Sequence, residues 1–163
     1  MTRQPGGAVD NFTVISPSTG MLCRMSFEDL PPTWPSLPLS DPVLARDVLD
    51  LCVSHADRRR GGLSVLVLRS NLALAQPIFV AGAMPRAGRR PALSNLFQAC
   101  AQQDCDTAFV LGIAHQGPAL SDEDRALHQD VIEVCRELDF RLVSTHLVTA
   151  HAIVMLPVSR RAA

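Results

Sequence analysis

The feature that most constrains the fold of this chain is an uninterrupted apolar run from Thr107 to Ile113. A strand in which apolar residues do not alternate with polar ones has no side suited to water, so it is usually buried on both faces. Such a strand lies inside a sheet rather than at its edge. The run therefore predicts the central strand of a layered α/β domain.

Three segments have the apolar spacing of amphipathic helices. The first starts where Asp41, a helix-capping residue, precedes Pro42, since proline is favoured in the first helical turn. The last is the clearest, because acidic residues are concentrated in its first turn, where they complement the helix dipole. The predicted helices cover residues 42–58, 91–103 and 121–138.

Four further segments have the composition of β-strands. Two β-branched and leucine-rich runs flank the turn-prone pair Ser70-Asn71, which predicts an antiparallel hairpin. Pro77 places the second of these runs at an edge or a bulge, because proline cannot donate to the strand ladder. The predicted strands are residues 63–68, 72–80, 140–148 and 152–158. Together with the central strand, these segments predict a mixed β-sheet with helices packed on it.

The chain length and composition favour one domain, since 163 residues with 47% hydrophobic content form one core comfortably. Residues 1–41 hold six of the twelve prolines and are expected to form a loosely ordered N-terminal arm. Phe27, Leu30 and Trp34 are expected to dock on the domain; the alternative is a short motif that binds another protein. The predicted domain covers residues 42–158, and 159–163 form a tail.

Several classes of protein are disfavoured by the sequence. No run of about 18 apolar residues and no secretory pattern occurs, so we expect a cytoplasmic protein without membrane contact. The five cysteines form no C-x-x-C pair and are expected to be reduced thiols. The net charge is −1 and every basic residue is arginine, so nucleic-acid binding is unlikely on charge grounds. Two arginine clusters, 58–60 and 86–90, are interpreted either as solvated rims or as sites for phosphates or carboxylates.

One motif resembles a known family. The chain reads Leu-Gly-Ile-Ala-His-Gln-Gly-Pro over 111–118, Leu-Ser-Asp-Glu-Asp over 120–124, and Thr-His-Leu-Val over 145–148. This frame resembles the RadC-like branch of the JAB (MPN) metalloprotease family, in which a strand ends in H-x-H-P-S-G, P-S-x-x-D opens a helix, and D-H-x-I-V follows on a strand. The resemblance implies a single JAB/MPN-like α/β domain of bacterial type.

In that family two histidines and the aspartate hold zinc, a glutamate acts as the base, and the serine stabilises the oxyanion. The resemblance carries the metal-ligating aspartate to Asp124 and the serine to Ser121. At the family's spacing, the H-x-H positions fall on Leu111 and Ile113; a loop shorter by two residues moves them to Ile113 and His115. Either alignment leaves at most one histidine.

The catalytic glutamate is also missing. The only glutamate before the motif is Glu28, in the proline-rich arm, and Gln76 on the predicted hairpin cannot serve as a general base. A weaker metal site made by His115, Asp124 and either His146 or His151 is the alternative; otherwise His146 is a remnant of the layer behind the ligands. Ser121 and Asp124 also form a capping-box-like pair that needs no metal.

We therefore expect a non-catalytic relative that binds an unidentified protein or peptide partner and needs no cofactor. The alternative is a zinc-dependent hydrolase with displaced ligands. A third and weaker hypothesis is a nucleic-acid-associated protein, which the arginine clusters favour and the low aromatic content disfavours.

Overall fold

The computed structural model describes residues 30–101 and 107–157, which form a mixed five-stranded sheet with helices on it. The helices are α1 (Pro42–Cys52), α2 (His55–Arg60), α3 (Arg89–Ala101) and α4 (Asp122–Glu137), preceded by a 3-10 turn at Trp34–Ser36. The strands are β1 (Gly62–Leu68), β2 (Leu74–Ala81), β3 (Ala108–Ala114), β4 (Arg141–Val148) and β5 (Ile153–Leu156).

The sheet has the strand order β2-β1-β3-β4-β5. Strand β3 occupies the centre and all of its residues are buried, which confirms the prediction from the apolar run. It pairs antiparallel with β1 and parallel with β4, and α4 makes the crossover that a parallel pair requires. The predicted hairpin is β1–β2, with Pro77 on the edge strand β2 as expected.

Helices cover both faces of the sheet. On one face α3 and α4 pack against side chains of β1, β3 and β4, and the Phe97 and Phe109 rings lie 5.1 Å apart at the centre of this core. On the other face α1 packs so closely that a Cβ added at Gly112 would stand 3.0 Å from a methyl group of Leu49. This three-layer arrangement is the α/β class predicted from the sequence.

The predicted helix over 42–58 is wrong as a single element, because two helices occupy that segment. Val53 and Ser54 have extended backbone angles, and the Ser54 side chain accepts a hydrogen bond from the Asp57 N–H, which starts α2 anew. The break turns Arg58 inward, where its side chain is 4% exposed. The helix predicted over 91–103 begins earlier, at Arg89, and its predicted end lies outside the described residues.

Part of the proline-rich segment belongs to the packed domain. Leu39 is fully buried, and Leu30 and Trp34 contact the core on the α1 side, as expected for docking. Residues before the predicted start of the domain at residue 42 therefore contribute to this core. Phe27, most of the predicted arm and the predicted tail lie outside the described residues.

Two further findings bear on the predictions from composition. Over the two described ranges, none of the helices is both long and apolar enough to cross a membrane. Cys52, Cys100 and Cys135 are free thiols, and burial raises the pKa of Cys52 and of Cys135 to about 12. These two thiols therefore stay protonated at neutral pH. Cys23 and Cys105 lie outside the described residues.

Candidate functional site

A cavity of about 380 Å³ opens at one end of the sheet, on the side covered by α3 and α4. Its walls come from the end of α2, the start of β1, the residues after β2 and β3, and the first turn of α4. Gly62 forms part of the wall, and a Cβ there would overlap the Val80 carbonyl oxygen. The volume lies within the range of small-ligand pockets, roughly 300–1,000 Å³.

Three of the predicted site residues meet in this cavity: His115, Ser121 and Asp124. The Asp124 carboxylate accepts the Ser121 N–H at 3.0 Å, while the Ser121 hydroxyl accepts the Asp124 N–H at 3.1 Å. The same Oδ2 atom of Asp124 lies 3.2 Å from Nδ1 of His115. The capping box predicted for Ser121 and Asp124 is therefore present, and it also positions a carboxylate against the imidazole.

The two alignments considered for the H-x-H histidines of the family place those positions in different parts of the structure. Ile113 and His115 both line the cavity, whereas Leu111 is fully buried in the core that α3 and α4 cover. The frame with the shorter loop therefore has both of its positions at the cavity wall. In that frame an aliphatic side chain stands where the family carries a ligand.

The donors around the cavity do not fit a tight zinc site. Within residues 30–101 and 107–157, no three His, Cys, Asp or Glu side chains come close enough together to hold a metal ion. His115 and Asp124 supply two donors, whereas zinc sites in enzymes use three protein ligands. Gln76 does not line the cavity, and Glu28 lies outside the described residues. No step through a metal follows from this arrangement.

His146, predicted as a remnant behind the ligands, is not brought to the cavity. It pairs in register with Gly112, on the face that α1 covers, and its Nε2 lies 3.0 Å from the Ser144 hydroxyl. Its Nδ1 is buried and has no partner among the described groups. Burial, together with the nearby Arg46 cation, lowers the pKa of His146 to about 4. This imidazole is neutral at physiological pH.

The weaker metal site considered from the sequence is likewise not assembled. His151 follows β4, is exposed, and does not line the cavity with His115 and Asp124. Thr145, the residue before His146, points to the opposite face because side chains alternate along a strand. It is fully buried, and its hydroxyl has no hydrogen-bond partner in the described structure.

The arginines of the 86–90 cluster form ion pairs with acidic residues of the domain. Arg86 pairs with Glu123 at 2.8 Å, Arg89 pairs with Asp130 at 2.6 Å, and Arg90 contacts Glu133 at 3.1 Å. The pairs of Arg89 and Arg90 join α3 to α4, and the pair of Arg86 joins the loop before α3 to α4. Arg89 does not belong to a solvated rim, because its side chain is 4% exposed.

The three arginines at 58–60 have two different roles, which could not be distinguished from the sequence. Arg58 is buried and satisfied inside the domain, whereas Arg59 and Arg60 are exposed and line the cavity. The basic triplet before Gly61-Gly62 was visible in the sequence. Which of its members faces the cavity depends on the start of α2, which the single predicted helix concealed.

No protein-family model matches the chain, and no curated protein sequence matches it significantly. The resemblance to the RadC-like JAB family consequently rests on the motif residues of the sequence.

Proposed function

We propose that this chain is a RadC-like JAB domain that has lost peptidase chemistry and binds a segment of a protein or peptide partner in its cavity. The observation that carries the proposal is the placement of His115, Ser121 and Asp124 on one cavity wall beside the aliphatic Ile113. These residues of the motif line a polar cavity. Its donors are too few for zinc, and the second carboxylate on the cavity wall, Glu123, hydrogen-bonds Arg86 at 2.8 Å.

The ion pairs around the cavity support binding without hydrolysis. The Oδ2 atom of Asp124 accepts the Ser121 N–H and contacts His115, and the Oε1 atom of Glu123 accepts a hydrogen bond from Arg86. Activation of a water molecule requires a base within hydrogen-bond reach whose lone pairs are free to accept the proton. A cavity whose carboxylates are held in these ion pairs is suited to hold a ligand unchanged.

Photo-crosslinking tests the proposal directly. We expect p-benzoylphenylalanine at Gln116, an exposed position on the cavity wall, to form an adduct with a protein partner in cells. The same photoprobe at Arg136, exposed at the far end of α4, is the matched control and is expected to give no such adduct. Mass spectrometry of the adduct identifies the bound segment.

A cavity-filling change completes the design. Ala83→Trp in the Gln116 photoprobe background places an indole in the cavity mouth and is expected to abolish the adduct. Equal adducts from both probe positions, or an adduct that survives Ala83→Trp, would place binding outside the cavity. Cleavage of the captured segment on addition of zinc would contradict a non-catalytic role.

The second candidate function is a hydrolase with displaced ligands, which the 3.2 Å approach of His115 to Asp124 favours because both atoms could contact one ion. We expect Asp124→Ala to lower the free energy of unfolding by about 1 kcal/mol through loss of the helix cap. We expect this loss of unfolding free energy to be the same in the presence of a chelator and in the presence of zinc. Urea unfolding with and without zinc measures it.

The control for this prediction is Asp122→Ala, which removes an acid of the same helical turn that pairs with Arg125 at the surface. If zinc binds specifically, a concentration of 100 times Kd stabilises the wild type by about 2.7 kcal/mol. Stabilisation of that size in the wild type and the Asp122 variant, but not in the Asp124 variant, would establish the hydrolase candidate instead.

A further inference from the structure

The cavity has a cationic rim formed by Arg59 and Arg60, the last two residues of α2. Both side chains are exposed, and no acidic group in the described structure pairs with either of them. Basic residues at a helix C-terminus complement its free carbonyl groups, and that effect alone accounts for their helical position. This helix-end effect does not explain why a third arginine lines the same cavity.

That third arginine is Arg89, on the wall opposite the rim. Its side chain is 4% exposed, and Nε and Nη2 are both held by Asp130 at 2.6 Å. Its Nη1 atom lies 3.6 Å from Glu123, which is beyond hydrogen-bond reach. Glu123 is 63% exposed, and its hydrogen bond goes to Arg86 rather than to Arg89. A buried guanidinium therefore keeps one donor group open on the cavity side.

The balance of charge in the cavity favours an anionic ligand. Four arginines at or beside it, Arg59, Arg60, Arg86 and Arg89, stand against three carboxylates, Glu123, Asp124 and Asp130. Asp124 also accepts the Ser121 N–H. The surplus is positive, and planar guanidinium groups bind carboxylates and phosphates with two parallel hydrogen bonds.

We propose that the cavity recognises a carboxylate of a peptide, either a C-terminus or an acidic side chain, through Arg59, Arg60 and Arg89. The inference rests on the proposed function and names the chemistry of the bound segment. A nucleic-acid strand fits less well, because its phosphates run past the acids at the start of α4 and because the chain carries a net charge of −1. A single carboxylate that enters the cavity avoids those acids.

The test uses defined hexapeptides and two-dimensional ¹⁵N–¹H NMR of the whole chain. The probes are an acetylated alanine–glycine peptide with a free C-terminus, its C-terminal amide, and an amidated peptide with one internal glutamate. We expect the two carboxylate peptides to shift the backbone resonances of Gly82, Met84 and His115 saturably. The uncharged amide is expected to bind at least tenfold more weakly.

Variants assign the effect to the rim. The double variant Arg59→Gln, Arg60→Gln is expected to weaken carboxylate binding at least tenfold, whereas Arg136→Gln, Arg141→Gln changes two exposed arginines that do not line the cavity and leaves it unchanged. Equal shifts from the amide would overturn carboxylate recognition and leave peptide binding intact. If none of the three peptides shifts the cavity resonances, the result would count against both proposals. If a single-stranded oligonucleotide binds more tightly than the peptides at equal salt, the ligand would be a nucleic acid and not a peptide.

Discussion

Replacing Arg58 with alanine is expected to lower the free energy of unfolding by about 3–5 kcal/mol, the usual cost when one partner of a buried ion pair is removed. The guanidinium donates to the Asp50 carboxylate at 2.6 Å and to the carbonyl oxygens of Asp50, Val53 and Thr149 at 3.1–3.3 Å. Alanine removes these four hydrogen bonds from a buried site. Urea unfolding followed by circular dichroism measures the loss.

The neighbouring Arg59→Ala is the matched control, since it removes an exposed arginine of the same helix. Its effect is expected to stay within about 0.5 kcal/mol. Replacing both partners, Arg58→Met with Asp50→Leu, is expected to recover part of the loss, because no uncompensated charge is then buried. Equal stabilities of the two single arginine variants would show that the buried network contributes nothing net.

Acidification from pH 6.5 to about 4 is expected to destabilise the wild type by up to about 3 kcal/mol through His146 alone. The pKa of this imidazole is about 4 in the folded protein, lowered by burial and by Arg46, and 6.5 in the unfolded chain. The unfolded state therefore binds the proton first. Stability is complete above pH 6.5, falls as the pH drops through this window, and changes no further from this group below pH 4.

The measurement compares unfolding of the wild type, His146→Gln and His151→Gln at pH 7.0, 5.5 and 4.5. The carboxylates titrate in all three proteins, so their contribution cancels in the comparison. His146→Gln is expected to lose less stability on acidification, whereas His151→Gln, which alters an exposed imidazole, should follow the wild type. Burial also lowers the pKa of His128, so a smaller dependence of the same sign remains in both variants. Parallel pH curves for all three proteins would refute the role of His146.

Much of the fold could be predicted because its signals are local. The apolar run of β3, the Ser70-Asn71 turn and the acidic first turn of α4 each depend on neighbouring residues, and each prediction agrees with the structure. The break before α2 was missed although Ser54 is a good helix cap. The apolar spacing on both sides of it fits one continuous helix as well as two.

The candidate site was less predictable because it depends on placement in three dimensions. Ser121 and Asp124 were found through their motif, and His115 through its position after the central strand. That His146 faces α1 follows from its register with Gly112, which no local pattern contains. The partner of Arg89 is Asp130, on another helix, and this ion pair likewise becomes visible only when α3 and α4 pack together.

The capping box at the start of α4 gives Ser121 and Asp124 a role in folding that is independent of any chemistry in the cavity. Ser121 and Asp124 satisfy each other's backbone N–H groups, so the helix starts correctly whatever occupies the cavity. On the proposed ancestry, an ancestor could have exchanged a ligand histidine for Ile113 without a folding penalty at this helix. The same pair would then persist under selection for stability alone, and its presence in a sequence is no sign of a working hydrolase.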